Sequence, residues 1–128
     1  MRDLKAGTTT RFTLAAGGGG QANGDTLDLL GMTPDGRYIL TRALATNLVK
    51  GDTNTQPDAF LYDRTTRTTA RVSVGVGGAQ GDGPLDLDGG GLSADGRTVA
   101  FDSGAGNLVK GDSNGTEDVF VRVLPASP

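Results

Sequence analysis

Apolar positions along the chain fall in short clusters separated by glycine, aspartate, asparagine and threonine. Tyr38-Ile39-Leu40, Ala59-Phe60-Leu61-Tyr62, Val99-Ala100-Phe101 and Val119-Phe120-Val121 are compact runs rich in β-favouring residues. Phe12 and Leu14 alternate with Arg11 and Thr13, and Val72 and Val74 with Arg71 and Ser73, the two-residue period of a half-buried strand. No stretch keeps a helical period for three turns. The pattern predicts an all-β chain.

That pattern is written twice. TPDGR at Thr33 to Arg37 returns as SADGR at Ser93 to Arg97, and NLVKGD at Asn47 to Asp52 returns unchanged at Asn107 to Asp112. Residues 27–60 aligned with 87–120, an offset of 60, share 16 of 34 positions. Asp3, Thr8, Thr9 and Arg11 match Asp63, Thr68, Thr69 and Arg71 at the same offset. The spacing predicts strands near 29–32, 37–43, 58–64 and 69–74 in the first copy, and near 89–92, 97–103 and 118–124 in the second. Asp35-Gly36 and Asp95-Gly96 fit two-residue hairpin turns in which both central residues take positive φ. The second copy has no fourth strand, whereas residues 8–14 align with the outer strand of the first copy and are predicted as a spare.

A missing strand at one end and a spare at the other is the strand exchange by which radial rings of four-stranded sheets close. The expected architecture is therefore a single module, 1–128, of two propeller blades. The first spans 15–74, the second spans 75–124 without its fourth strand, and 1–14 is the spare outer strand. The motif order S/T-x-D-G-R, apolar strand, A-x-N-L-V-x-G-D-x-N, D-x-F, T-T-x-R resembles the TolB-type β-propeller repeat, which is distantly similar to WD repeats. It looks most like the bacterial extracellular version, whose long loop stands here as GDSNGTEDVFVRV at Gly111 to Val123. The first copy, GDTNTQPDAFLYD at Gly51 to Asp63, departs from that motif at Thr55, Gln56 and Pro57. The resemblance implies a propeller, usually of six or more blades, often an exported binding scaffold, and it brings no shared catalytic residue.

Each repeat of such an array buries its faces against its neighbours, and roughly three or more are normally needed for stability. Two blades alone are expected to leave apolar faces open, with Ile39, Phe60, Val72, Val99, Phe101 and Phe120 contributing. The expected remedy is assembly with copies of itself through identical head-to-tail contacts, each N-terminal strand completing a neighbour's last blade. Three chains would make six blades and four would make eight, with the trimer preferred. The alternative is a piece of a longer propeller, because Met1 falls inside what should be a strand.

Composition narrows the chemistry. The chain of 128 residues has no His, Cys or Trp, which removes His- and Cys-based zinc sites, thiol nucleophiles, Ser-His-Asp triads and disulfides. A net charge of −3 disfavours phosphate-backbone binding, so no nucleic-acid partner is expected. No window is apolar enough for a membrane span. The opening MRDLKAGTTT has no signal-peptide apolar region, while zero cysteines, loops rich in Asp, Asn, Gly and Thr, and the family resemblance suggest an exported bacterial protein.

Polar candidates cluster in the loop after each NLVKG. Asp112, Asn114, the Thr116 backbone and Asp118 fall at alternate positions in the second copy, and Asp52, Asn54 and Asp58 in the first. Alternate oxygen ligands in a turning loop suit Ca²⁺, which takes six to eight oxygens in irregular geometry. The run resembles the start of an EF-hand loop, but Gly115 comes two residues early and no Glu stands at the twelfth position. The competing reading is that these side chains bond their own loop as Asx turns and brace it. Asp25, Asp28, Asp82, Asp86 and Asp88 flank the inner strands, where paired carboxylates would suit glycoside hydrolysis. Gly17 to Gly20 and Gly75-Val76-Gly77-Gly78 lack the following helix and Lys-Ser/Thr of a P-loop and are expected to link strands. Asn114-Gly115-Thr116 fits an N-glycosylation acceptor, and Arg37 and Arg97 are expected to reach turn carbonyls or carboxylates. The functional expectation is a non-enzymatic binding or scaffolding module. A calcium-stabilised extracellular module and a fragment of a propeller-fold hydrolase are the alternatives.

Overall fold

The computed structural model describes residues 1–85 and 90–125. Its strands, in chain order, are β1 (Arg2–Asp3), β2 (Thr8–Thr9), β3 (Thr26–Met32), β4 (Tyr38–Ala43), β5 (Asp58–Asp63), β6 (Thr68–Arg71), β7 (Gly90–Leu92), β8 (Thr98–Ser103) and β9 (Asp118–Val123). Among the described residues the helical content is one 3-10 turn, Val76–Gly78. The all-β expectation holds. The strands form three antiparallel sheets, none of them closed: β1-β2, then β3-β4-β5-β6, then β7-β8-β9. Among the described residues no helix is long and apolar enough to cross a membrane.

The sequence repeat is also a repeat of register. β4 and β8 are 60 residues apart at both ends, and so are β5 and β9. Thr41 pairs with Phe60 as Phe101 pairs with Phe120, and Ala43 pairs with Asp58 as Ser103 pairs with Asp118. The innermost strand of the first copy starts earlier than expected, at Thr26, and the outer strand ends earlier, at Arg71, with Val74 held by a single bridge to Gln80. In the second copy the inner strand is described from Gly90, Gly89 lying outside the described residues. Among the described residues no strand follows β9.

One local expectation is refined and one corrected. Residues 8–14, expected as a spare outer strand, hold a shorter strand. β2 covers Thr8–Thr9 and pairs with β1, Arg2 opposite Thr9 and Asp3 opposite Thr8, which reproduces Tyr62 opposite Thr69 and Asp63 opposite Thr68. The Asp-Gly turns are not two-residue turns with two left-handed centres. Gly36 and Gly96 take φ +68° and +73°, while Asp35 and Asp95 do not adopt positive φ. Each turn closes one residue earlier, from the Gly36 N–H to the Thr33 carbonyl at 2.8 Å and from the Gly96 N–H to the Ser93 carbonyl at 2.9 Å, with Pro34 and Ala94 at the first central position. The hydroxyl of Thr33 accepts the Tyr38 N–H at 3.0 Å and donates to Asp35 at 2.6 Å. Ser93, Thr98 and Asp95 repeat this at 2.9 and 2.6 Å.

The core lies between the sheets. One face of the β3–β6 sheet presents Leu40, Ala59, Leu61 and Val72, all buried, against Val99 and Phe101 of the β7–β9 sheet. Phe101 meets Phe120 across the strands with ring centres 5.9 Å apart. Close approach is built in at Gly96, where an added Cβ would lie 2.2 Å from the Tyr38 ring. The opposite face of the first sheet carries Ile39, Phe60 and Tyr62, and residues 12–14 lie over it, Phe12 stacking on Tyr62 at 5.7 Å. Ile39, Phe60, Val72, Val99 and Phe101 are therefore buried within one chain and do not form the open faces expected of them. Phe120 is half-buried. Among the apolar side chains left open, β9 contributes a row of three, Val119, Val121 and Val123, exposed to 76%, 65% and 68%, and others such as Leu4 and Leu29 stand apart from it.

Candidate functional site

The most connected polar cluster is the loop between β4 and β5. Its loop-internal links are those of an Asx turn: the Gln56 N–H donates to Asn54 Oδ1 at 3.1 Å, and Asn54 Nδ2 donates to Asp58 Oδ2 at 2.9 Å. Asp58 sits at the start of β5, 2% exposed, and accepts the Ser73 hydroxyl at 2.7 Å. Ser73 in turn accepts the Ala59 N–H at 3.0 Å, satisfying a fully buried donor.

Residues downstream of β5 hold this loop from outside. Gln80 Oε1 accepts the Thr53 and Asn54 N–H groups at 3.0 and 3.1 Å, and its amide donates to Thr53 Oγ1 at 2.8 Å. Arg71 donates to the same Gln80 oxygen at 3.0 Å and lies 3.5 Å from Asp52 and 3.9 Å from Asp58. The positive charge facing both carboxylates of this copy is a guanidinium. Asp52 Oδ1 is nonetheless buried without a hydrogen bond. Burial, followed by the neighbouring Asp58 charge, raises the Asp52 carboxyl above the ordinary range, and the nearby Arg71 charge only partly opposes this.

The second loop keeps the internal links and lacks the external ones. Asn114 Nδ2 donates to Asp118 at 2.8 Å and the Thr116 N–H donates to Asn114 Oδ1 at 3.0 Å. Among the described residues no ion pair forms at Asp112 or Asp118. An open groove of about 550 Å³ runs beside β9, lined by Lys110, Asp112, Asn114, Asp118 and Val119 among others. The structure thus brings Asp52, Asn54 and Asp58 into one braced cluster, and Asp112, Asn114, Thr116 and Asp118 into an equivalent one left open on its outer side. Among the described residues no group of three or more acidic side chains gathers.

The other acidic candidates are spread out. Asp28 is held by Arg42 at 2.8 and 3.1 Å, and Arg42 also donates to the Leu85 carbonyl of the second unit at 3.0 Å. Asp82 accepts the Gly106 N–H at 2.8 Å. Asp86 and Asp88 lie outside the described residues. Arg37 grips Asp63 with two bonds of 3.1 and 2.9 Å, the carboxylate contact expected of it, and holds the Asp63 carboxyl below its ordinary range.

Sequence patterning does not single out Ser73 and Gln80 as site residues. A signal for the arginine is present, since Arg11 and Arg71 match at the offset of 60. Gln80 corresponds to Gln21 at an offset of 59, the second glycine linker being one residue shorter, so a fixed offset passes over it. The structural match is direct: Leu14 bridges Gln21 as Val74 bridges Gln80, and Arg11 donates to Gln21 as Arg71 does to Gln80.

No protein-family model matches this chain, and no curated protein or solved structure matches it.

Proposed function

We propose that the protein is a non-enzymatic binding and scaffolding module of β-propeller blades, similar to TolB-type repeats, that assembles head to tail into a ring of three chains and six blades. One observation carries this reading. Within the chain, the first sheet presents Ala59 and Leu61 to the second, and they are 0% and 6% exposed. The residues in the same register of the second sheet, Val119 and Val121, stand 76% and 65% exposed. A contact that covers one copy of a repeated surface is the natural complement of the other copy, and a heterologous contact repeated around an axis closes when its rotation divides a full turn. Large open apolar faces mark interaction surfaces on soluble proteins.

The clusters described above support binding and bracing more than catalysis. Asp58 is engaged by Ser73 and Asn54, Asp118 by Asn114, and Arg71 faces Asp52 and Asp58, while near the inner strands Asp28 is held by Arg42 and Asp82 by the Gly106 N–H. Native mass spectrometry and light scattering test the assembly. A species of about 39 kDa, three times the 13.0 kDa chain, is expected, and a single 13.0 kDa species at every concentration overturns the reading.

A further inference from the structure

We infer that the partner at the open edge of β9 is residues 8–21 of a second copy of this chain, which add a fourth strand there and place Arg11, Thr13 and Gln21 on the 112–118 loop. This inference rests on the assembly reading above and names the contact it uses.

The first copy supplies the template. There β6 and the segment after it cover the outer edge of β5, and Arg71, Ser73 and Gln80 bind the 52–58 loop. Residues 8–21 repeat that segment in kind. Arg11 stands for Arg71, Thr13 keeps the hydroxyl of Ser73, and Gln21 stands for Gln80. Their targets are repeated as well: Asp112 for Asp52, Ser113 for Thr53, Asn114 for Asn54 and Asp118 for Asp58. Even the anchoring of the segment to its own sheet is the same. Asn47 Nδ2 donates to the Gln21 carbonyl at 2.8 Å, as Asn107 Nδ2 does to that of Gln80 at 2.7 Å. Charge is complementary, since among the described residues Arg11 is exposed without an ion pair and the second loop has two carboxylates without one.

Docking needs little rearrangement. The segment already lies on its own first sheet, with Phe12 on Tyr62, and among the described residues Met1 to Asp3 hold the outer edge of residues 8–10. β9 of another copy offers six residues in that register, 122–123 falling where β1 now pairs, so β9 replaces a two-residue strand by a longer one. The cavity of about 340 Å³ between the segment and its sheet, lined by Phe12, Leu14, Ile39 and Tyr62 among others, then receives the β9 valines.

The chain has no cysteine, so paired cysteines report the register directly. Leu61 opposes Ala70 in the template, which makes Thr10→Cys with Val121→Cys the matching pair, and Cα atoms of such a pair, roughly 5.5 Å apart, suit a disulfide. Both positions are exposed, so the fold should survive. Thr9→Cys with Arg122→Cys, by analogy with Tyr62 opposite Thr69, is the second pair. Oxidation is expected to give covalent multimers that vanish on reduction and that neither single variant gives. Arg11→Glu is expected to raise the concentration for half-assembly about tenfold or more. If the chain assembles but neither pair cross-links, this placement is overturned and the ring reading stands. If the cross-link forms only within one chain, the second copy is the wrong occupant. A chain that stays monomeric removes both.

Discussion

Asp52 and Asp63 both face an arginine, yet folding moves their carboxyl groups in opposite directions. Asp63 receives two hydrogen bonds from Arg37, which is what lowers it, with the Thr65 N–H assisting. A carboxyl lowered on folding stabilises the fold above its unfolded pKa, and that stability is lost as pH falls through the folded value. Asp52 is raised, first by burial and then by Asp58, because Arg71 stands off at 3.5 Å and shares its donor with Gln80. For Asp52 the sign reverses. Its contribution is intact below the unfolded pKa and is lost as pH rises through the folded value, so ionised Asp52 weakens the fold at neutral pH. Asp52→Asn, of nearly the same shape, is expected to unfold at higher urea than the parent at pH 7, with the gap closing as pH drops below the ordinary carboxylate range. A variant less stable at pH 7 than in acid, relative to the parent, would show that the Arg71 contact outweighs the burial.

At the scale of elements, the Ser73 hydroxyl is one tie between the β4–β5 loop and its sheet, beside Gln80 and Arg71. Ser73 links Asp58 to the Ala59 N–H, and all three residues are buried. Ser73→Ala leaves a buried acceptor and a buried donor unsatisfied, which costs about 1–3 kcal/mol for each group left unpaired. Thr13→Ala, at the matching position of the N-terminal segment, is expected to stay within about 0.5 kcal/mol in the single chain, since Thr13 is half-buried with no side-chain bond among the described residues. Chemical denaturation of the two variants measures the difference. These elements also show how far local patterning reaches. Apolar runs and the 60-residue echo locate β4, β5, β8 and β9 to within a residue or two, because compact runs between turn residues are a local signal. The β1–β2 hairpin escapes such a reading because its strands are two residues each, too short for a period to show. The turn type escapes it too, because the Thr33 and Ser93 hydroxyls that fix each turn bond Asp35 and Asp95 two residues on and the Tyr38 and Thr98 N–H groups five residues on, beyond a dipeptide signal. Gln80 obeys no local rule, since what makes it a clamp is a contact with Thr53 across 27 residues.

For the whole molecule, the question is what two equivalent positions do when one is covered and the other open. The apolar runs suggest that Ile39, Phe60 and Val99 would face water, but stacking the two sheets and laying residues 12–14 over the first hides them, while Val119, Val121 and Val123 of β9 stay exposed. Leu61 and Val121 therefore separate folding from assembly. Leu61→Ala removes a 6% exposed side chain from the core between the sheets and is expected to cost about 2–5 kcal/mol at any protein concentration. Val121→Ala removes one that is 65% exposed in the single chain, so the dilute protein should differ from the parent by about 0.5 kcal/mol or less. Binding that favours the folded state raises apparent stability with concentration, so the parent's Tm should climb as the chain is concentrated. Val121→Lys should flatten that climb, because an ammonium placed on the shared face has no partner there. Thermal melts across a hundredfold range of concentration, roughly the span that mass action needs to show, decide the matter. A parent Tm that does not move, or a Lys variant that climbs with it, would mean that the β9 face is not where copies of the chain meet.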